Sequence, residues 1–258
     1  MSDSHGKFVW YELMTTDPKA AETFYREAIG WGAQDAGMPD MTYTLLTTGG
    51  RPVAGLMETP QHIRDSGASA FWTGYVYVDD VDETVARAKQ EGSAVHHAPD
   101  DIPGVGRFAV IADPQGAAIA LFKTQTMTPA DALPAGTPGT AGWHELYAGD
   151  LETAFPFYSK LFGWTKADAV DMGPMGVYQL FAVGGGTVVG GMMTKPPTVP
   201  APAWCYYFNV EGIDAAIGRV QAGGGKIVNG PMQVPGGSWI AQCLDPQGAF
   251  FCVVAPAR

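Results

Sequence analysis

The sequence predicts an α+β fold of four βαβββ modules, grouped as two tandem domains. Two observations predict it: the chain repeats itself at a fixed spacing, and each copy runs twice through the same order of elements. Trp10-Tyr11-Glu12-Leu13 returns as Trp143-His144-Glu145-Leu146, Phe24-Tyr25 as Phe157-Tyr158 and Gly30-Trp31 as Gly163-Trp164, all 133 positions on. Trp72, Tyr75, Val78 and Asp82 return as Trp204, Tyr207, Val210 and Asp214, and Asp113-Pro114-Gln115-Gly116-Ala117 returns unchanged at Asp245 to Ala249, now 132 positions on. A repeat of this length, with aromatic and turn residues in register, marks two copies of one domain, so any functional residue is sought twice.

The elements follow in order. Phe8 to Thr15 alternates as a strand does. Asp17 or Thr16 then caps a helix from about Pro18 to Ile29, with proline at an early helical position. Ala21, Phe24, Tyr25 and Ile29 form its apolar stripe, and Gly30 stops it. Strands at Thr42 to Thr47 and Val53 to Met57 complete a module. The next module has a strand at Trp72 to Val78, a helix from Val81 to Glu91, and strands near Ala94 to His97, Arg107 to Ala112 and Ala118 to Phe122. Asp113-Pro114-Gln115-Gly116 supplies turn chemistry between the last two strands. Residues 127–141, rich in Pro, Gly, Ala and Thr, read as a linker between domains 1–126 and 142–258.

At 258 residues each domain is long enough to bury a core. Hydrophobic residues make up 46% and charged residues 16%, an ordinary globular balance. A net charge of −11 without a Lys/Arg cluster argues against nucleic acid and anionic membranes as partners. With no apolar run of about 20 residues, no signal-like start and three cysteines confined to the second copy, a cytoplasmic protein is expected.

The strands ending at Asp17 and Asp150, the Ala-x-x-Phe-Tyr and Gly-Trp that follow, Val78-Asp79-Asp80-Val81-Asp82, and the two Asp-Pro-x-Gly turns carry a resemblance over nearly the whole chain. The chain resembles the vicinal oxygen chelate superfamily of glyoxalases, bleomycin-resistance proteins and extradiol dioxygenases, in particular its two-domain glyoxalase-like members. The resemblance implies curved mixed sheets around a cavity, with helices on the outer face. It also implies metal ligands at places that fall here on Trp10 and Trp143, on or near Thr73 and Cys205, and on Ala120 and Cys252. Trp and Ala cannot ligate a divalent ion. No metal and no cofactor are therefore expected, against the alternative of a metal-dependent lyase or dioxygenase using Glu12, Glu145 and the cysteines.

Strand alternation assigns the cavity side. It takes Trp10, Glu12, Tyr75 and Tyr77 in the first copy, and Trp143, Glu145, Tyr147, Cys205, Tyr207, Asn209 and Cys252 in the second. Met57 and Met193 are expected to floor it. An inward carboxylate is uncommon unless paired. Glu12 and Glu145, with Tyr75 and Tyr207, are the candidate catalytic set, each carboxylate a base or a ligand anchor. The competing expectation ties each Glu to a tyrosine hydroxyl or backbone amide that closes the sheet. The other members (Trp10, Met57, Tyr77, Trp143, Tyr147, Met193 and Asn209) are candidate ligand contacts. His144 is off register by one and expected to be structural, the His96-His97 pair points to opposite faces, His62 falls in a loop and His5 in a frayed terminus. Arg107 or Trp239, on loops before a strand, are candidate lid residues. The expected protein, enzyme or not, binds a small apolar or aromatic ligand as a monomer or homodimer.

Overall fold

The computed structural model describes residues 2–38, 41–65, 67–124 and 133–258. The first module comprises β1 (Phe8–Thr15), α1 (Pro18–Ile29), β2 (Gly32–Asp35), β3 (Tyr43–Thr48) and β4 (Arg51–Glu58). A short helix α2 (Gln61–Asp65) carrying His62 stands in the connection expected as loop. The second module comprises β5 (Phe71–Tyr77), α3 (Val81–Gln90), β6 (Ala94–Ile102), β7 (Gly106–Ala112) and β8 (Ala118–Thr124). The third comprises β9 (Ala141–Ala148), α4 (Leu151–Phe162), β10 (Thr165–Asp171), β11 (Val177–Val183) and β12 (Thr187–Thr194). The fourth comprises β13 (Ala203–Asn209), α5 (Ile213–Ala222), β14 (Lys226–Gln233), β15 (Trp239–Leu244) and β16 (Phe250–Ala255).

Each repeat contributes one eight-stranded mixed sheet, so the α+β class and the four βαβββ modules hold. Within a module the first strand lies parallel to the last, as β1 does to β4 and β13 to β16, while hairpins join the others. The start of α1 follows from its sequence: Asp17 accepts the Ala20 amide at 3.0 Å and Pro18 opens the helix. Gly30 ends it at φ 91°, a left-handed conformation that glycine adopts without a Cβ penalty. Among the described residues no helix is long and apolar enough to cross a membrane.

Packing regroups the modules. One compact unit holds Met1–Val9, Thr73–Ala132 and His144–Trp204; the other holds Trp10–Trp72, Leu133–Trp143 and Cys205–Arg258. The second module thus packs with the third, and the first with the fourth. In the latter unit, Tyr25 on α1 donates to Asp245 Oδ2 at 3.1 Å and accepts from Trp72 Nε1 at 2.9 Å. Asp245 Oδ1 meanwhile accepts the amides of Gln247 and Ala249 and shapes the Asp-Pro-Gln-Gly turn. The former unit repeats this: Trp204 Nε1 donates to Tyr158, which donates to Asp113 Oδ2 at 2.8 Å, while Asp113 Oδ1 orders its own turn. Tyr11, Trp31, Trp72, Tyr206 and Phe208 pack mostly edge to face around the Tyr25 lock, and Phe8, His144, Trp164, Phe181 and Trp204 pack by stacked and edge-on contacts around the Tyr158 lock.

The expected linker is described from Leu133 onward; its residues 127–132 lie outside the described residues. Its end is tied down, with the Gly139 carbonyl accepting from Trp31 Nε1 at 2.7 Å and the Pro138 carbonyl from Thr48. The N-terminal segment is ordered as well. His5 is buried; its Nδ1 accepts from the Asp79 amide, and its Nε2 contacts the Leu161 carbonyl at 3.2 Å. A frayed His5 was the expectation; the turn before α3 and the α4 backbone hold it instead.

Candidate functional site

The alternation of β1 sorts its side chains between two faces. Tyr11 and Leu13 enter the helix-side core, where Tyr11 meets Tyr206 and Phe208. Trp10, Glu12 and Met14 lie on the other, helix-free face. Glu12 is buried there, at 6% exposure, and its Oε2 accepts the Tyr43 hydroxyl at 2.8 Å. Tyr43 in turn accepts Trp10 Nε1 at 3.0 Å. The result is a directed chain, Trp10 N–H to Tyr43 O–H to Glu12 carboxylate. Burial first, and then the Glu12 charge, raise the Tyr43 phenol far above its ordinary range, so it remains a donor.

Gly55 makes the chain possible. It pairs with Glu12 across β1 and β4, and a Cβ there would overlap the Tyr43 ring and hydroxyl. Met57, two residues on, is half-buried and pairs with both Met14 and Tyr43, which puts it on the same face. The second repeat has the same construction. Gly191 pairs with the buried Glu145, a Cβ on Gly191 would overlap the Tyr178 ring, and the buried Met193 pairs with Tyr147. Trp143 is half-buried and shares the Glu145 face of β9.

Tyr43 and Tyr178 were missed in the sequence. The available signal was a tyrosine two positions before a leucine in each copy, Tyr43-Thr44-Leu45 and Tyr178-Gln179-Leu180, followed by a glycine hairpin and then Gly55 or Gly191. Tyr43 holds Glu12, the place for which Tyr75 was the expected neighbour. Tyr75 is buried edge-on to Phe122 at 6.0 Å and pairs with Ala120, and Tyr77 is half-buried opposite Phe122. The Tyr207 hydroxyl accepts from Gln242 Nε2 at 3.0 Å. Asn209 is held by the linker end, its side-chain amide donating to the Thr140 carbonyl and hydroxyl at 3.1 and 3.0 Å.

His144 lies on the face opposite Glu145. It stacks on Phe8 at 3.9 Å, contacts the Val189 carbonyl through Nδ1 at 2.7 Å, and burial brings its pKa down to about 4. Arg107, a candidate lid residue, pairs with Asp82 and Asp101. Trp239 lies under the Arg258 guanidinium at 4.9 Å. His97 stacks on Phe108.

The donor set does not fit the metal that the fold family implies. Trp10, Trp143 and Ala120 offer no ligand atom of the right kind. Cys205 and Cys252 are buried thiols, and among the described residues no three His, Cys, Asp or Glu come together in a group able to hold an ion.

A model of the glyoxalase/bleomycin resistance protein/dioxygenase superfamily matches residues 7–121 and 140–253, once per repeat. The chain belongs to this superfamily. It is 33% identical over 250 residues to "Putative glyoxylase CFP32" of Mycobacterium tuberculosis, covering 96% of this chain and 94% of that protein. It is 33% identical over 261 residues to "Anthracycline biosynthesis protein DnrV" of Streptomyces peucetius, covering 96% and 93%. Among solved structures, the Mn(II)-bound glyoxalase of Novosphingobium aromaticivorans is similar at TM-score 0.62 and 15% identity, with 98% of this chain and 82% of that one covered. A homoprotocatechuate 2,3-dioxygenase variant from B. fuscum is similar at TM-score 0.68 and 15% identity, covering 98% and 72%. These two likenesses are of fold. Superfamily membership leaves the reaction open, because one fold hosts many chemistries.

Proposed function

We propose that this superfamily member binds a small aromatic ligand carrying a few hydrogen-bond donors, and that Glu12 and Glu145 are its acceptors. The observation that carries the reading is the buried Glu12 held by Tyr43 on the helix-free face of β1, with Glu145, Gly191 and Tyr178 arranged alike in the second repeat. A carboxyl group offers several acceptor sites on its two oxygens, and a face of Trp, Tyr and Met around few polar groups suits an apolar body with polar edges. Trp10 and Met57 with Glu12, and Tyr147 and Met193 with Glu145, supply that surface; Tyr75, Tyr77, Trp143, Tyr207 and Asn209 are the further contacts of the proposed set. The chemistry open to such a site is proton transfer from a ligand hydroxyl to a carboxylate.

One relative is named for anthracycline biosynthesis; anthracyclines are planar fused-ring molecules with phenol and quinone oxygens, the kind of ligand this surface suits. A suitable probe is 2,6-dihydroxyanthraquinone, whose hydroxyls are placed so that they form no chelating pair. Calorimetric titration into chelator-treated protein is expected to give saturable binding that Mn²⁺ or Zn²⁺ leaves unchanged. Binding that appears only with added metal supports a metal-dependent lyase or dioxygenase instead, and no binding in either case rejects both.

A further inference from the structure

The two repeats are not equivalent on the helix-free face of their later modules. In the fourth module a row of side chains crosses four strands: Tyr207 on β13 pairs with Cys252 on β16, Cys252 with Gln242 on β15, and Gln242 with Asn229 on β14. The same places in the second module hold Tyr75, Ala120, Val110 and His97, paired in the same order. Only the tyrosine is shared. In the fourth module Gln242 donates to the Tyr207 hydroxyl at 3.0 Å and accepts from Asn229 Nδ2 at 3.4 Å. The row grades from buried to open, with Tyr207 at 2% exposure, Gln242 at 8% and Asn229 exposed.

Burying a primary amide is costly unless it is hydrogen-bonded. Val110 occupies the corresponding place without any such group, so this fold closes with an aliphatic side chain there. The second module is in effect an internal control: folding does not require the Gln242 amide. What the amide adds is a donor and an acceptor in line with a phenol, on the face that presents Glu12 and Glu145 in the other modules.

We propose that Gln242, flanked by Tyr207 and Asn229, is the specificity-determining residue by which the fourth module selects the hydroxyl- or carbonyl-bearing edge of an aromatic ligand. The second module, with Val110, takes an unsubstituted aromatic edge. This rests on the binding function proposed above and adds which part of the chain reads the polar edge. A row of amide and phenol groups hydrogen-bonds a ligand oxygen, whereas an analogue that lacks the oxygen displaces water from these groups and returns no hydrogen bond.

The test compares two probes with a three-ring body: 2,6-dihydroxyanthraquinone, which carries hydroxyls and carbonyls, and anthracene-2-sulfonate, which has neither, keeps one terminal ring unsubstituted and carries its charge at the other end. Both are titrated into the full chain and into Gln242→Val and Gln242→Met, after far-UV circular dichroism establishes that the variants are folded. The wild type is expected to prefer the dihydroxyquinone. Both variants are expected to weaken its binding by about tenfold and leave the affinity for anthracene-2-sulfonate unchanged. Gln242→Met keeps the side-chain length, so an effect of volume alone would appear with Gln242→Val only and would overturn the proposal. An undiminished preference in both variants, or no preference in the wild type, would also overturn it while leaving the binding function standing. Failure of both probes to bind the wild type would overturn both readings.

Discussion

Tyr25 donates its hydroxyl to Asp245 across 220 positions of sequence, and Tyr158 donates to Asp113 across 45. In each pair one oxygen of the aspartate orders its own turn and the other receives a helix from a different repeat. The Asp-Pro-Gln-Gly turn therefore serves both local geometry and module pairing. Asp245 is buried, which raises its pKa, and the Tyr25 hydroxyl opposes that shift. Tyr25→Phe removes one donor, and leaves Trp72 Nε1 and Asp245 Oδ2 short of a partner. It is expected to cost about 1–3 kcal/mol of stability in denaturant unfolding, and Tyr158→Phe should cost a similar amount.

Gly55 is the position where the Trp10–Tyr43–Glu12 chain is most easily broken. Gly55→Ala places a methyl group where the Tyr43 hydroxyl stands, and overpacking of this kind costs about 1–3 kcal/mol. Tyr43→Ala vacates that space. In a double-mutant cycle the alanine at 55 is therefore expected to be nearly neutral once Tyr43 is gone, a coupling measurable by chemical denaturation. Additive losses would show that the ring does not occupy that space.

Much of this was legible in the sequence and some was not, for identifiable reasons. The repeat placed the strands and helices, and the parity of β1 and β9 separated Glu12 from Tyr11 and Glu145 from His144. Module pairing was hidden because Asp113-Pro114-Gln115-Gly116 and Asp245-Pro246-Gln247-Gly248 are identical, so Tyr25 matches either aspartate equally well. Tyr43 was hidden because it is a single tyrosine in a strand whose distance to its counterpart has drifted with the hairpin lengths. Gln242 was hidden because Val110, its counterpart, carries no polar group, and a search for features present twice passes over it. His5 looked unstructured because nothing local in its sequence supplies the Asp79 amide and the Leu161 carbonyl that hold it.

His144 gives the protein an acid-sensitive element. Its folded pKa of about 4 lies below the ordinary 6.5, so the unfolded chain takes up the proton first. The neutral imidazole's contribution is complete above about pH 6.5 and is lost as pH falls toward 4. From pH 8 to pH 5 the loss is expected to be about 2 kcal/mol. His144→Phe, which keeps a ring to stack on Phe8, should flatten this part of the pH–stability profile. A profile that remains unchanged would assign the pH dependence to other groups.

The buried carboxylates carry the central claim, and isosteric substitution tests it most directly. Glu12→Gln/Glu145→Gln keeps both side-chain shapes while replacing the two carboxyl groups with amides. Titration of 2,6-dihydroxyanthraquinone into this variant and the wild type is expected to show at least about a tenfold loss of affinity with the thermal midpoint preserved. Equal affinity for the two proteins would contradict the claim and leave Glu12 and Glu145 as groups that only close the sheet.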